Sequence, residues 1–325
     1  TFSEGQLRAS PIEDIYVYGW DGEMIELKTR AISQLLTPNH RVAVWRRGGL
    51  KYFRADKLTP TAGYSIVTAA PATNSPSHWG EFSQAQIRLI GWIIAEGHFD
   101  EWGGILLTQA CSSPYCDEIR QTLSTLNLTH NEYCHKGGWF AWRIAKVSAL
   151  PYTFLLQGKK EIPSLLLNQP QENLKVLFDS LMKGDGGHFR RRLKNSCLFT
   201  APPGLAYQML ELCVRLGYSA YVREDKYRLK NNDPLCIVNI LLSKNKREAR
   251  GKNRNIFSTW YKGKVFCIQT RDGNFVAMRK GKPFITGNSG HGHLAGIAYC
   301  EDGERLAIDI GCSCDSKRLD WVAEH

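Results

Sequence analysis

Long apolar runs are missing from this 325-residue sequence: no stretch approaches the roughly 20 consecutive apolar residues that a membrane-spanning helix needs. The opening TFSEGQLRAS lacks the basic-then-apolar order of a secretory leader. Acids are few, 31 Asp and Glu against 42 Lys and Arg. The ten cysteines show no disulfide-framework spacing, and Cys111/Cys116, Cys312/Cys314 and Cys134-His135 lack zinc-site spacing. These absences argue against a membrane protein and a disulfide-stapled secreted domain. They predict reduced thiols in a folded, soluble protein of the cytoplasm. The first residue is Thr1 rather than Met, which predicts a fragment or a processed product.

What is present is ample apolar material, 43% of residues with 11% aromatics, enough for two or three domains with real cores. The formal charge of +11 suits a polyanionic partner. The excess sits in three runs: HFRRRLKN (Arg190, Arg191, Arg192, Lys194), REDKYRLKNN (Lys226, Arg228, Lys230) and SKNKREARGKNR (Lys244, Lys246, Arg247). These are candidate DNA contacts, although such runs are also commonly plain solvated faces.

Residues 1 to about 75 read as short strands around Gly-bearing turns, and TAAPATNSPSHWGE reads as a linker. From about residue 83 the period becomes helical in SQAQIRLIGWIIAEG, SSPYCDEIRQTLSTLN, ENLKVLFDSLMKGDG and GLAYQMLELCVRLG, with strand-like GWFAWRIAK and LCIVNILLS between them. The order hints at an internal duplication. From KVFCIQTRDGNFVAMRKGKPFITG the β character returns, with turns at Arg271-Asp272-Gly273-Asn274 and Lys280-Gly281-Lys282. A β unit is thus expected to be split by an α/β insert.

Two of the helices end alike. Gly91 in LIGWIIAEG costs a helix about 1 kcal/mol relative to Ala, which a close helix–helix approach would offset. FDSLMKGDG places Ser180 at the equivalent position and Asp185 where the first helix has Glu96. The helix dipole opposes a carboxylate at a C-terminus, so two acids held there together suggest a compensating cation. Either helix alone reads more simply as an amphipathic helix with a Gly cap; the pair, together with the basic insert, turns the reading towards a metal site.

LIGWIIAEG and LFDSLMKGDG, with KKEIPSLLL and FTAPPGLAYQMLELCVRLGYSAYV, resemble the signature segments of the LAGLIDADG homing endonucleases in their single-chain, intein-nested form, across residues 83 to 250. The resemblance implies an α+β unit of pseudo-two-fold αββαββα topology whose sheets saddle double-stranded DNA and cut it at a specific site. It implies Mg2+ held by Glu96 and Asp185, with Lys160 near the scissile phosphate. Glu96 stands where the family more often has Asp.

The flanks carry a second resemblance. PIEDI, LLTPNHRVAV, VFCIQTRDGNFVA and ITGNS, in that order, are similar to the splicing blocks of an intein with the all-β Hint fold. The residue types suit the chemistry. The Asn288 side-chain amide can attack its own peptide carbonyl, forming a succinimide and releasing Ser289, after the Ser289 hydroxyl has accepted the upstream acyl group. The resemblance places His40 beside the upstream scissile bond as proton donor and Thr37 against its carbonyl. No cofactor is needed for splicing.

The sequence departs from that family twice. Gly287 replaces the usual His before the terminal Asn, so cleavage there is expected to be slow. Thr1 replaces the usual Cys or Ser. Three readings of Thr1 stay open: a nucleophile lies just upstream, the nucleophile was replaced, or another thiol attacks. Cys267 and Thr286 match a subclass that uses such a thiol, Trp45 lies near that subclass's Trp position, and a purely structural Cys267 is the equal alternative.

After Ser289, GHGHLAGIAYCEDGERLAIDIGCSCD resembles the last part of calcineurin-like metallophosphoesterases, which implies that His291 and His293 ligate a dinuclear divalent metal centre in the spliced host. The expected organisation is a Hint domain from 1–78 and 253–288, an endonuclease from 79–252 and a host fragment from 289–325. The expected partners of this monomer, microbial or phage-encoded, are target DNA and the flanking host segments. The rival readings are a splicing-inactive DNA-binding module and a metallophosphoesterase fragment.

Overall fold

Segments from the two ends of the sequence, both rich in aromatic and β-branched residues, pair with each other over most of their length. In the computed structural model, strand Ile12–Lys28 runs antiparallel to strand Ile256–Thr270, in register from Leu27↔Ile256 to Tyr16↔Cys267 and on to an irregularity at Gln269/Thr270. The structure describes residues 1–59, 62–73, 82–188, 195–230, 233–250 and 255–288. Ser289, His291, His293, Arg190, Arg191, Arg192 and Lys194 lie outside the described residues, as do the side chains of Lys226, Arg228 and Lys230.

The described residues fall into two compact units, one built from Thr1–Thr73, Cys213–Arg223 and the residues from Asn239 on, the other from Asn74–Leu212 and Glu224–Val238. In the first, Ser33–Leu36 extends the long ribbon on its Ile12–Lys28 side. Strand Arg41–Arg46 turns back on Gly49–Arg54 through Arg47 and Gly48, and Asn274–Arg279 turns back on Lys282–Gly287 through Lys280 and Gly281. All four loop residues have positive φ, from 51° to 77°. That is the backbone of a two-residue hairpin turn whose twist matches the strands. The core gathers Leu27, Ile32, Leu36, Val42, Val44, Ile66 and Phe284. The expected turn at residues 271–274 is present, although the strands on either side of it belong to different sheets.

Lys246–Arg250 was expected within the insert. Instead it pairs antiparallel with Gly63–Val67, with Ala249 opposite Tyr64 and fully buried, so the β unit draws a strand from what reads as the charged tail of the α/β segment.

The helices begin with α1 (Gln84–Glu96), where Ser83 and Gln86 close a reciprocal capping box. They continue with α2 (Cys116–Thr125), α3 (Lys146–Leu156), α4 (Ser164–Leu167), α5 (Gln171–Gly184) and α6 (Pro203–Arg215). One four-stranded sheet has the order Gly97–Phe99, Ile105–Ala110, Trp139–Ile144, His130–His135, and a second has the order Gly186–His188, Ser196–Ala201, Asp233–Leu241, Ser219–Lys230. Numbered along the chain, both are first-second-fourth-third, and each first strand follows a helix that ends in an acid. The duplication hinted at in sequence is therefore a repeated topology. Helices α3 and α4 have no counterpart among the segments that sequence periodicity marks as helical. Pro151 sits inside α3, and its Val147, Leu150 and Phe154 are exposed, so apolar spacing there does not mark a buried face.

No described helix is long and apolar enough to cross a membrane.

Candidate functional site

In the β unit the turn from Thr270 to Asn274 is the organising element. Gly273 has φ +67° and donates its N–H to the Thr270 carbonyl at 3.0 Å, while the Thr270 hydroxyl donates to the Asn274 carbonyl at 2.8 Å. The Asn274 side chain, only 3% exposed, accepts from the Phe2 N–H at 2.8 Å and donates to the Phe2 carbonyl at 3.0 Å. Beside it, Thr1 Oγ1 donates to Asp272 Oδ2 at 2.5 Å. Arg8 closes on the same carboxylate, Nη2 to Oδ1 at 3.0 Å and Nε to Oδ2 at 3.3 Å. These partners hold the Asp272 carboxyl below its ordinary range, the Thr1 hydroxyl first and Arg8 next.

The other end of the unit binds the same turn. The Asn288 N–H donates to the Gly273 carbonyl at 3.0 Å and its Nδ2 to the Thr270 carbonyl at 3.3 Å. Its Oδ1 is buried with no hydrogen bond among the described residues. Thr1 and Asn288 are thus both fastened to one five-residue turn.

Thr37 and His40 are buried in a Thr-Pro-Asn-His turn closed by His40 N–H to the Thr37 carbonyl at 3.0 Å. His40 Nε2 lies 2.7 Å from Oγ1 of Thr286, which is itself fully buried. The Thr37 hydroxyl hydrogen-bonds the phenol of Tyr18, a group that burial pushes up. Cys267 is buried on the same ribbon opposite Tyr16, its Sγ 3.8 Å from the Ile268 carbonyl. Gly287 explains a departure seen in sequence: a Cβ there would lie 2.7 Å from the Arg41 carbonyl and 2.9 Å from the Tyr52 ring. The position has no room for a side chain. Trp45 packs edge-on against Phe2 at 6.2 Å between ring centroids and lies under Lys246 Nζ at 4.1 Å.

In the α/β unit, α1 and α5 cross at very short range. A Cβ added to Gly91 would lie 2.5 Å from the Ser180 Cβ, and one added to Gly184 would lie 2.5 Å from the Ala95 Cβ and 3.5 Å from Glu96 Oε1. The two acidic ends therefore lie side by side. Each is followed by a glycine whose Cβ would strike a helix carbonyl, Ile93 O at 2.3 Å for Gly97 and Met182 O at 2.2 Å for Gly186. Asp185 is exposed at the end of α5, its N–H bonded to the Leu181 carbonyl. Lys160 Nζ donates to the Ala95 carbonyl at 3.2 Å. Burial pushes the half-buried Glu96 carboxyl above its ordinary range, against the opposing pull of Lys160 and a hydrogen bond from Gln109.

This donor set of carboxylate oxygens at helix ends suits a hard divalent cation. Among the described residues, no group of three or more His, Cys, Asp or Glu gathers as a metal site.

Of the basic residues expected on DNA, Lys244 is exposed. Lys246 is partly buried against Trp45, and Arg247 turns its guanidinium to Ser219, Nε to Oγ at 2.6 Å and Nη2 to the carbonyl at 3.2 Å. Residue-by-residue reading missed Asp272, Asn274, Tyr18, Tyr52 and Gln109. The Arg-Asp-Gly-Asn turn signal marked the place of the first two but not their partners.

No family model matches the sequence, and no curated protein matches it. Solved structures similar to it include I-DmoI in complex with DNA and Ca, at 14% identity and TM-score 0.37, over 49% of this chain and 83% of that one. The homing endonuclease I-WcaI bound to its DNA recognition sequence is similar at 19% identity and TM-score 0.32, over 51% and 79% of the two chains. The meganuclease I-SmaMI bound to uncleavable DNA is similar at 11% and 0.34, over 50% and 78%. At TM-scores no higher than 0.37, this likeness by itself assigns neither family nor activity to the chain.

Proposed function

We propose that the chain is an intein precursor in which the β unit splices itself out and the α/β unit is a LAGLIDADG-type, metal-dependent endonuclease for a specific duplex DNA site. The splicing reading is carried by one observation: Thr1 and Asn288 are tied to the same turn, Thr1 through Asp272 and Asn288 through Gly273 and Thr270. Splicing needs both of its junctions at one place.

The residues then take their roles from position. Asn288 Nδ2, held by its N–H on the Thr270 carbonyl, attacks the Asn288 carbonyl carbon. A C–N bond forms in the succinimide, the bond to Ser289 breaks, and the Ser289 nitrogen leaves as an amine. Holding the nucleophile in the same residue as its target gives the large effective molarity that substitutes for an outside base. His40 is buried in its turn, with Thr286 fixing its ring, and serves as proton donor at the upstream junction; the Thr37 hydroxyl, on Tyr18, steadies the carbonyl. Cys267 is kept as an alternative thiol. Ser289 accepts the acyl group.

In the α/β unit, Glu96 and Asp185 would hold divalent metal ions. A bound ion of this kind supplies charge stabilisation at a phosphate and activation of water. Lys160, fixed by the Ala95 carbonyl, presents a positive charge beside Glu96. The basic runs containing Arg190 and Lys226 bring phosphate-neutralising charge.

The full chain is incubated and analysed by mass spectrometry: release of the segment after Asn288, absent in Asn288→Ala, supports splicing chemistry. Intact chain under every condition, with duplex DNA still bound, makes it a non-cleaving DNA-binding module instead. Selection from a randomised duplex library tests the nuclease, with Glu96→Gln and Asp185→Asn each expected to abolish cutting.

A further inference from the structure

We infer that Cys111 and Cys134 form a redox-sensitive dithiol site, which a small-molecule disulfide closes to an intramolecular disulfide. Among the described residues these two are the exposed cysteines, while Cys116, Cys197, Cys213, Cys236 and Cys267 are buried. The two exposed thiols are also the two that hydrogen-bond each other. The sheet brings them together. Cys134 stands opposite Phe140 in the hairpin of His130–His135 and Trp139–Ile144, and Phe140 stands opposite Gln109 on Ile105–Ala110. Cys111 follows at the end of that strand, its N–H on the Gly138 carbonyl at 2.9 Å, while the Gly138 N–H closes the hairpin end on the His135 carbonyl at 3.0 Å. Directly opposite residues share a face, so Cys134 lies with Glu132, Phe140 and Trp142. Arg120 of α2 covers that face, bonded to Glu132 and 4.6 Å over the Phe140 ring. Cys116, the first residue of α2, turns its Sγ to the Ala110 carbonyl at 3.3 Å and takes no part.

The exchange balances in two steps. The thiolate of one cysteine attacks a sulfur of the small-molecule disulfide: a protein–small-molecule S–S bond forms, the original S–S bond breaks, and one small thiol leaves. The thiolate of the second cysteine then attacks the protein sulfur of that mixed disulfide and expels the other small thiol. Two protein thiols are oxidised, one small disulfide is reduced to two thiols, and the two protons pass from the protein to them. Partial desolvation and the Cys134 thiol push the Cys111 thiol up, against the pull of Arg120, so exchange quickens as pH rises. An exposed disulfide is of the labile kind, reopened by excess thiol.

The link has a reader on the other side of the sheet. Tyr133, His135, Trp139 and Arg143 alternate with the residues above and so share the opposite face, where His135 and Trp139 stack at 3.7 Å between ring centroids and 7° between planes. Strand Trp139–Ile144 lies between the other two in the sheet, so bonding the two sulfurs draws the hairpin end across it and shifts the stack. Under the nuclease reading, on which this consequence alone rests, that face meets the duplex, and oxidation weakens DNA binding.

The test exposes the reduced full chain to oxidised glutathione, alkylates the remaining thiols and maps the peptides by mass spectrometry. The expected product is a peptide pair joined through Cys111 and Cys134. It should vanish with dithiothreitol, in Cys111→Ser and in Cys134→Ser, and persist in Cys116→Ser. Circular dichroism melts check that each variant is folded. Binding to a duplex selected from a randomised library is then followed by fluorescence anisotropy in both redox states. Oxidation should weaken it by about fivefold or more, the lower range of couplings between two sites, and Cys134→Ser should not respond.

Lasting glutathione adducts on both cysteines, linkage of either to a different cysteine, or no reaction at all overturns the inference. Equal duplex affinity in the two states overturns the control of binding. A parent chain that binds no duplex in either state defeats the nuclease reading and that control together, and the linked peptide then decides the dithiol site by itself.

Discussion

His40 Nε2 and Thr286 Oγ1 lie 2.7 Å apart across 246 residues of sequence, both buried. Replacing Thr286 by Val keeps the shape and removes this partner from a buried imidazole. A loss of about 1–3 kcal/mol in unfolding free energy follows from leaving such a group unsatisfied. Urea titration measures it, and the rate of upstream cleavage should fall in the same variant because the ring is no longer fixed.

The α1–α5 crossing makes a sharper prediction. Gly91→Ala puts a methyl 2.5 Å from the Ser180 Cβ, a degree of overpacking that costs about 1–3 kcal/mol. Ser180→Gly in the same chain removes the colliding atom. The double variant should recover most of the loss, and a double-mutant cycle by thermal melts gives the coupling directly. Additive losses would mean the helices do not meet at this pair.

Glu96 gives a pH-dependent outcome. Burial raises its folded pKa above the ordinary 4.5, so the folded state holds that proton more tightly than the unfolded chain does. The two states differ little below pH 4.5. As pH rises through the folded value, stability falls, and at neutral pH the ionised carboxylate is a net cost without a cation. Glu96→Gln should therefore raise the melting temperature at pH 7 in the absence of divalent metal, lose that advantage below the carboxylate range, and abolish DNA cleavage. Adding Mg2+ should raise the melting temperature of the parent more than that of the variant.

At Gly287 the expectation runs against simple repair. Restoring the His that resembling sequences place there should not speed Asn288 cyclisation, because even a Cβ would meet the Arg41 carbonyl and the Tyr52 ring. Gly287→Ala is expected to destabilise by about 1–3 kcal/mol, and Gly287→His by more. Both are measured by denaturant unfolding, with release after residue 288 followed in parallel.

What the sequence reveals depends on how far apart the partners lie. The helix ends at Glu96 and Asp185 are legible because Gly91, Ser180 and the Glu-Gly and Asp-Gly pairs sit within one or two turns of the acids they position. The hairpin at Lys280–Gly281 is legible for the same reason. Asp272 is different: its partners, Thr1 and Arg8, lie more than 260 residues away, and only the β pairing brings them together. Charge runs are less informative still. Lys246 and Arg247 look alike as part of a basic tail, yet one lies over the Trp45 ring and the other bonds Ser219, because a charge count does not say which way a strand faces. Helix α3 escapes notice because Phe154, 84% exposed, breaks the rule that helical apolar spacing marks a buried face.

The ribbon joining Ile12–Lys28 to Ile256–Thr270 also sets a timetable. During synthesis its first strand leaves the ribosome well over 200 residues before its partner, an interval on the order of ten seconds or more at typical elongation rates. Until then the first strand has no mate, and the turn that holds both Thr1 and Asn288 is not formed. Under the proposed splicing reading, bond rearrangement would wait until the inserted helices and sheets have emerged, and an unfinished chain would not cut itself.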